Sequence, residues 1–172
     1  SAASDVYKRQ TQQALMYAFA GESQANRKYL AFAARADQEG FSQAAKLFRA
    51  AAEAETVHAH AHLRAAKGIR STQENLKEAI AGETYEFESM YPPMIEAAKA
   101  EGNKEAERSF TYAFEVEKIH ARLYQEMLDN LETSKETFSY YVCPVCGFTI
   151  EKEAPETCPI CGSKGKVFKK ID

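Results

Sequence analysis

The chain has no tryptophan, and its 172 residues include only eight glycines. These glycines do not form the clustered loop that cradles phosphates in nucleotide-binding proteins, so that kind of site is excluded. No apolar run reaches the roughly 18 residues of a membrane-spanning helix, which excludes a helical membrane protein. The formal net charge is −3, and nucleic acid is not expected as a partner because positive charge is not in excess.

Cysteine is absent before residue 143 and then occurs four times, in the matched motifs Cys143-Pro-Val-Cys146-Gly and Cys158-Pro-Ile-Cys161-Gly. Four thiolates at this spacing suit a tetrahedral metal site, which indicates a reducing compartment such as the cytoplasm rather than a disulfide framework. The motif alone does not choose the metal. A redox-silent zinc ribbon and a single Fe(Cys)4 centre that carries one electron are equally compatible with it.

The part of the chain before the cysteines is rich in residues that favour helices. Gly40 and Gly102 stand where helices commonly end, and Ser42 is a candidate N-cap. The first ten residues are polar and patternless, so we expect no helix there and interpret them as a processed or foreign end. The sequence predicts two domains, at 11–135 and 139–172, with helices over about 11–39, 43–68, 73–102 and 104–131.

The helical part contains an internal repeat. Glu55-x-x-His58 is matched by Glu117-x-x-His120 at an offset of 62 residues, and Tyr29 is matched by Tyr91 at the same offset. Matches in register over two segments indicate that one helical hairpin was duplicated. Two such hairpins predict an all-α four-helix bundle with a pseudo-twofold axis.

In each predicted helix, the middle of the apolar face carries ionisable side chains. Several carboxylates in one core repel strongly unless protons or cations neutralise them. One Glu from each of two helices, with Glu-x-x-His from the other two, is the pattern of a dinuclear carboxylate centre in a bundle. Carboxylate oxygens and imidazole suit iron or manganese. The candidate ligands are Glu22, Glu55, His58, Glu83, Glu86, Glu117 and His120.

The duplicated Glu…Glu-x-x-His bundle, followed by the double Cys-Pro-x-Cys-Gly motif, resembles the rubrerythrin family over about residues 14–168. The resemblance implies a ferritin-like bundle and a small C-terminal rubredoxin-like domain rich in β-structure and turns. It implies two irons in the bundle and one iron, with zinc as the alternative, on the four cysteines. The implied di-iron ligands are Glu22, Glu55, Glu83, Glu86, Glu117 and His120.

The same resemblance implies a peroxidase that reduces hydrogen peroxide to water. Electrons would come from rubredoxin or an NAD(P)H-dependent reductase and pass through the rubredoxin-type iron. His58 matches a residue that exchanges with the Glu86 equivalent as a ligand when the redox state changes. Tyr29 and Tyr91 match tyrosines that hydrogen-bond the ligand carboxylates. These four residues are therefore the expected catalytic set.

Two other classes of protein are alternatives. A ferroxidase or iron-storage bundle would use oxygen, but it would not need a one-electron relay on four cysteines. A zinc-ribbon scaffold protein with a polar-cored bundle would not need carboxylates at matching positions in all four helices. Metal analysis with a visible spectrum separates these classes, because three irons per chain and a red oxidised colour are expected only of the peroxidase.

The two repeats differ by one residue. Tyr29 follows Glu22 by seven residues, whereas Tyr91 follows Glu83 by eight. A helix absorbs a single insertion most locally as a π-bulge, which is frequent at functional sites. Two prolines follow directly and weaken the hydrogen-bond ladder. The sequence therefore predicts a π-turn or kink between Glu83 and Pro93.

The connection between the second and third helices is short for a ferritin-like bundle, in which these helices run parallel. Nine residues, from Lys67 to Asn75, reach at most about 30 Å, whereas a helix of about 25 residues is roughly 38 Å long. A short hinge between similar hairpins favours domain swapping. We expect a homodimer in which the first hairpin of one chain shares a di-iron site with the second hairpin of the other. The alternative is an up-down-up-down monomer.

Overall fold

The computed structural model describes the backbone of residues 2–172 and the side chains of residues 8–172. It confirms a mostly helical chain with a small C-terminal β-sheet. The helices are α1 (Ala2–Gln38), α2 (Ser42–Ala65), α3 (Thr72–Tyr85), a π-helical segment (Glu86–Met90), α4 (Tyr91–Ala100) and α5 (Lys104–Asn130). The strands are β1 (Tyr140–Val142), β2 (Thr149–Glu151) and β3 (Lys169–Ile171). Within the described residues, no helix combines the length and apolar composition that crossing a membrane requires.

Two expectations about helix starts are wrong. α1 begins at Ala2, because residues 2–10 contain neither glycine nor proline and nothing stops the helix from extending towards the N-terminus. Ser1 lies outside the described residues. The N-cap of α2 is Phe41, without a side-chain hydrogen bond, and Ser42 is already helical. A tight turn at Gly40, whose φ is +84°, brings the chain into α2 one residue early.

The same turn ends three helices. In the first, the N–H of Phe41 donates to Ala36 O over 2.8 Å and the N–H of Gly40 donates to Asp37 O over 3.1 Å, which is the Schellman arrangement. The turns after α2 and α4 repeat this pair of bonds. The left-handed residue is Gly102 after α4 but Lys67 after α2. The repeated turn after α1 and α4 agrees with the duplicated hairpin inferred from the sequence.

The first compact unit comprises residues 1–70, in which α1 and α2 form an antiparallel hairpin. Its buried residues are small, so that the two backbones approach closely: Ala33, Ala36, Ala45, Ala52, Ala59 and Ala66. Asn26 of α1 links the two helices, because its side-chain amide donates to Ala52 O of α2 over 2.7 Å and to Thr56 Oγ1 over 2.9 Å. Among the described residues of this hairpin, the buried side chains are all alanines.

The second compact unit comprises residues 71–172. A capping box between Ser71 and Glu74 starts α3, and α3, the π-helical segment and α4 pack along α5. The sheet has the order β2-β1-β3 with both pairs antiparallel, and Val142 lies opposite Thr149. Val116 of α5 lies in one buried cluster with Cys143, Phe148 and Cys158. The cysteine module, residues 140–172, is therefore packed on α5.

The predicted π-turn is confirmed. The π-helical segment occupies Glu86–Met90, and the N–H of Tyr91 donates to Glu86 O, five residues back. Pro92 and Pro93 then fall in the first turn of α4, where the missing N–H groups cost little. The inserted residue is thus absorbed locally, and the helix keeps its register on both sides.

Deleting Ser89, which is exposed within the π-helical segment, should leave the protein folded. In this variant Glu83 and the tyrosine of the second repeat are seven residues apart, as Glu22 and Tyr29 are in the first repeat. We therefore expect the thermal midpoint to fall by less than about 5 °C. Deleting the exposed Lys28 in α1 is the matched control. No π-segment absorbs that change, and it rotates the rest of α1 by about 100° against α2. We expect a fall of more than about 10 °C in thermal unfolding followed by circular dichroism. Equal destabilisation by the two deletions would contradict the local role of the π-segment.

Candidate metal centre

The first unit brings three of the predicted ligands together. Glu22 of α1 and Glu55 and His58 of α2 place their candidate ligand atoms within 4.8 Å of one another. His58 Nδ1 lies 3.1 Å from a carboxylate oxygen of Glu55 and 4.0 Å from one of Glu22. We call this group the first half-site. The His58 side chain is 57% exposed, so its ring has room to move.

The two carboxyl groups of the first half-site act on each other. The interaction with Glu55, followed by partial burial, raises the pKa of Glu22 above its ordinary value. The interaction with Glu22, followed by the hydrogen bond with His58, lowers the pKa of Glu55. Opposite shifts of this kind are expected of two carboxyl groups that compete for one proton. A cation in the same place would neutralise the pair more completely.

The second unit repeats this arrangement with Glu83 of α3 and Glu117 and His120 of α5, again within 4.8 Å. His120 Nδ1 lies 2.7 Å from a Glu117 oxygen and 3.8 Å from a Glu83 oxygen. Burial, with the neighbouring charge of Glu117 second, raises the pKa of Glu83 to about 7. The His120 side chain is only 27% exposed. This second half-site is therefore more enclosed than the first.

Glu86 and Tyr91 lie beside the second half-site. Burial raises the pKa of Glu86, and the charges of Glu117 and His120 also act on it. Burial likewise raises the pKa of Tyr91, followed by the charge of Glu86. Glu86 is not one of the three clustered ligands of the second half-site. It lies in the π-helical segment, where the charges of two of those ligands, Glu117 and His120, reach it. Tyr29, the counterpart of Tyr91, packs its ring against Phe48 with centroids 6.2 Å apart.

The four cysteines form a compact cluster of free thiols within 4.8 Å. Cys143 Sγ lies 3.6 Å from Cys161 Sγ, and Cys146 Sγ lies 3.5 Å from Cys158 Sγ. A tetrahedral site with metal–sulfur bonds of about 2.3 Å would hold its sulfurs about 3.8 Å apart. The sulfur separations therefore fit a single four-coordinate metal, and the oxygen and nitrogen donors of the half-sites fit harder ions such as iron.

Two neighbours of the second half-site are not identified as site residues by the sequence. Thr149 Oγ1 lies 3.0 Å from His120 Nε2, although the two residues belong to different predicted domains. Burial, followed by the charge of Glu83, raises the pKa of Tyr124, which lies four residues after His120 on α5. A groove of about 480 Å³ opens here. Its lining includes Glu83, His120, Leu123, Tyr124, Val142 and Thr149.

Comparison with known proteins confirms the resemblance. A family model described as Rubrerythrin matches residues 13–128, and one described as Rubrerythrin, rubredoxin-like domain, matches residues 141–169. The chain is 39% identical to Rubrerythrin-2 of Clostridium acetobutylicum over 90% of this chain and 93% of that protein. It is 36% identical to Rubrerythrin of Porphyromonas gingivalis over 92% and 88% of the two chains. The solved structure of fully reduced, all-ferrous nigerythrin aligns with a TM-score of 0.58 at 32% identity, covering 94% of this chain and 86% of that one.

The raised pKa of Glu83 predicts how the metal-free protein responds to pH. The contribution of this carboxyl to stability is present below its ordinary pKa of 4.5 and is lost as pH rises through about 7. We expect the thermal midpoint of the metal-free protein to fall between about pH 5 and 8. Glu83→Gln stays neutral throughout, so the difference between the variant and the unmodified protein should grow with pH. A difference independent of pH would contradict the prediction.

Proposed function

The chain belongs to the rubrerythrin family, and from this premise we propose that it is a non-haem di-iron peroxidase that reduces hydrogen peroxide to water. Family membership implies a di-iron centre and an iron on the four cysteines. The observation that carries the proposal is the pair of half-sites, each with two carboxylates and one imidazole in the same arrangement. We assign residues 11–135 to the di-iron bundle domain and residues 139–172 to the Fe(Cys)4 domain.

The two half-sites together supply the donors that a pair of irons requires. When bound, the irons supply one electron each for cleavage of the peroxide O–O bond. The overall reaction takes up two protons and two electrons and yields two waters. The proposed iron ligands are Glu22, Glu55, His58, Glu83, Glu86, Glu117 and His120 in the bundle, and Cys143, Cys146, Cys158 and Cys161 in the smaller domain.

Glu86 and His58 have complementary roles in this proposal. The His58 ring is neutral when it binds a metal, whereas an ionised Glu86 is an anion. With iron held here, Glu86 would bring a negative charge that His58 lacks, which would suit the more positive site after oxidation. Among the residues that the structure describes, none forms a hydrogen bond to His58 Nε2, and Glu86 starts the π-helical segment, so both positions suit ligands that move.

Tyr91 is proposed to orient the ligand carboxylates, with Tyr29 in the equivalent role in the first half-site. The raised pKa of Tyr91 keeps its hydroxyl protonated, and a protonated phenol can donate a hydrogen bond to a carboxylate. Second-layer hydrogen bonds of this kind commonly tune a metal site. The groove that reaches Glu83 and His120 is a route for a molecule as small as peroxide.

Electrons are proposed to enter through the cysteine module from rubredoxin or an NAD(P)H-dependent reductase in the reducing cytoplasm. The module packs on α5 through Val116, one residue before Glu117. A one-electron centre at this position serves a relay better than it serves iron storage. The relay also explains why one chain combines thiolate ligands with carboxylate ligands.

We further propose that the di-iron site forms in a domain-swapped homodimer. Six residues separate α2 from α3 and span at most about 25 Å, whereas α2, with 24 residues, is about 36 Å long. This six-residue connection is too short to run back along the length of α2, as a parallel arrangement of α2 and α3 within one chain would require. Glu22, Glu55 and His58 of one chain would then join Glu83, Glu86, Glu117 and His120 of a second chain.

The peroxidase proposal is tested with iron in the bundle and either iron or zinc on the cysteines. The anaerobically reduced protein should consume about one equivalent of hydrogen peroxide per di-iron site in the zinc form and up to about one and a half in the iron form, because Fe(Cys)4 holds a third electron. Steady-state turnover with an external reductase should be lost in the zinc form, because zinc carries no electron. Cys158→Ser should have the same effect. Steady-state turnover in the zinc form would contradict the relay, and oxidation by oxygen but not by peroxide would favour a ferroxidase.

Complementation tests the swap. Glu55→Ala and Glu117→Ala should each be inactive alone. In a swapped heterodimer of the two variants, one site carries both substitutions and the other carries neither. Mixing after unfolding, followed by refolding, should restore about a quarter of the original activity if chains pair at random. Without swapping every site contains one damaged half, so a mixture without activity would overturn the swap.

A further inference from the structure

We propose that Thr149 is a positioning residue that fixes which ring nitrogen of His120 binds metal, so that docking of the cysteine module on α5 sets the metal affinity of the bundle. This inference rests on the proposed di-iron site. It gives the module a second role besides electron transfer. The relevant contacts all lie within the second compact unit, where the module and α5 pack together.

The direction of the hydrogen bonds follows from counting hydrogens. Thr149 Oγ1 lies 3.0 Å from Gly147 O and 3.0 Å from His120 Nε2. A carbonyl oxygen only accepts, and a hydroxyl has one hydrogen to give. Thr149 therefore donates to Gly147 O. Its oxygen must then accept from His120, which places a hydrogen on Nε2.

A hydrogen on Nε2 determines what the other side of the ring can do. The neutral imidazole with Nε2 protonated has its lone pair on Nδ1. That nitrogen faces the half-site, hydrogen-bonded to a Glu117 oxygen over 2.7 Å and 3.8 Å from a Glu83 oxygen, and a metal bound here would take the place of the hydrogen in that bond. Thr149, together with the Gly147 carbonyl to which it donates and which also acts on the ring, thus favours the tautomer and the ring orientation that direct Nδ1 to the metal position.

The hydroxyl is held in place by the module itself. Thr149 begins β2 and lies opposite Val142 of β1. The module is anchored to α5 by Val116, with Ile119 packed against the same cluster. His120 is the next residue on α5. The position of the Thr149 oxygen relative to the imidazole is therefore set by the docking of one module on one helix.

The first half-site has no such support. Within the described residues, no hydrogen bond reaches His58 Nε2, and the His58 side chain is 57% exposed against 27% for His120. The repeat supplies a counterpart for each clustered ligand, but Thr149 belongs to the module, which is not duplicated. The two equivalent histidines thereby differ in freedom of movement. His120 is suited to remain bound, whereas His58 is suited to leave.

The test uses full-length protein with zinc on the four cysteines and measures Co²⁺ binding to the bundle by calorimetry. Thr149→Val keeps the side-chain volume and suits a β-strand, but it removes the hydroxyl. We expect Co²⁺ affinity to fall by about 10- to 100-fold. Thr149→Ser should restore most of it. The matched control is Thr111→Val on α5, which removes a hydroxyl that donates to Glu107 O over 2.7 Å and should change affinity little.

A second measurement reports on the tautomer independently of affinity. With Zn²⁺ in the bundle, nitrogen NMR shifts of His120 should show coordination through Nδ1 in the unmodified protein. They should show a mixture of Nδ1 and Nε2 coordination in Thr149→Val. Circular dichroism and retention of zinc by the cysteines establish that each variant is folded.

The outcomes separate this inference from the proposed function. Unchanged Co²⁺ affinity and unchanged nitrogen shifts in Thr149→Val would overturn the role of Thr149 and leave the di-iron site intact. If the unmodified protein bound no Co²⁺, or if its Co²⁺ binding persisted in Glu117→Ala, the di-iron site would be overturned, and the role of Thr149 with it. A loss equal to that of Thr111→Val would also overturn the inference, because it would show a general effect of hydroxyl removal.

Discussion

Carboxylates that converge on one face of a helical hairpin are the constraint on which the rest of this structure depends. The interaction with Glu55 raises the pKa of Glu22, and burial raises the pKa of Glu83 to about 7. Such groups are stable together only with a retained proton or a bound cation. Alanine-rich packing between α1 and α2 suits this requirement, because close backbones bring short carboxylate side chains within reach of one metal.

The π-helical segment shows how a duplicated hairpin acquires an additional function without losing its fold. One inserted residue would normally rotate everything that follows it in the helix. Here the extra residue is taken up between Glu86 and Met90, and the two prolines enter the first turn of α4, where they are tolerated. Glu86 is thereby added beside the second half-site, whose clustered ligands still match those of the first half-site.

The cysteine module makes the two halves of the repeat unequal. It packs on α5 through a core that joins Val116 to two cysteines, and it places the Thr149 hydroxyl against His120. The first hairpin keeps its histidine exposed. Equivalent residues in a duplicated sequence therefore lie in different environments, which is the physical basis for assigning them different roles.

The mostly helical fold, the repeat, the cysteine cluster and the π-insertion could all be predicted from the sequence, because helical periodicity and chelating motifs depend on residues close together in the chain. The two Glu-x-x-His pairs are local in the same way, whereas their partners Glu22 and Glu83 could be predicted because the duplicated hairpin pattern places them on facing helices. The prediction from sequence erred at Ser42, where backbone hydrogen bonds around Gly40 decided the start of α2. The contact of Thr149 with His120 and the packing of Val116 against the cysteines could not be predicted, because both form when the chain folds in three dimensions. A hydroxyl and a valine carry no signal of their partners until the module docks on α5.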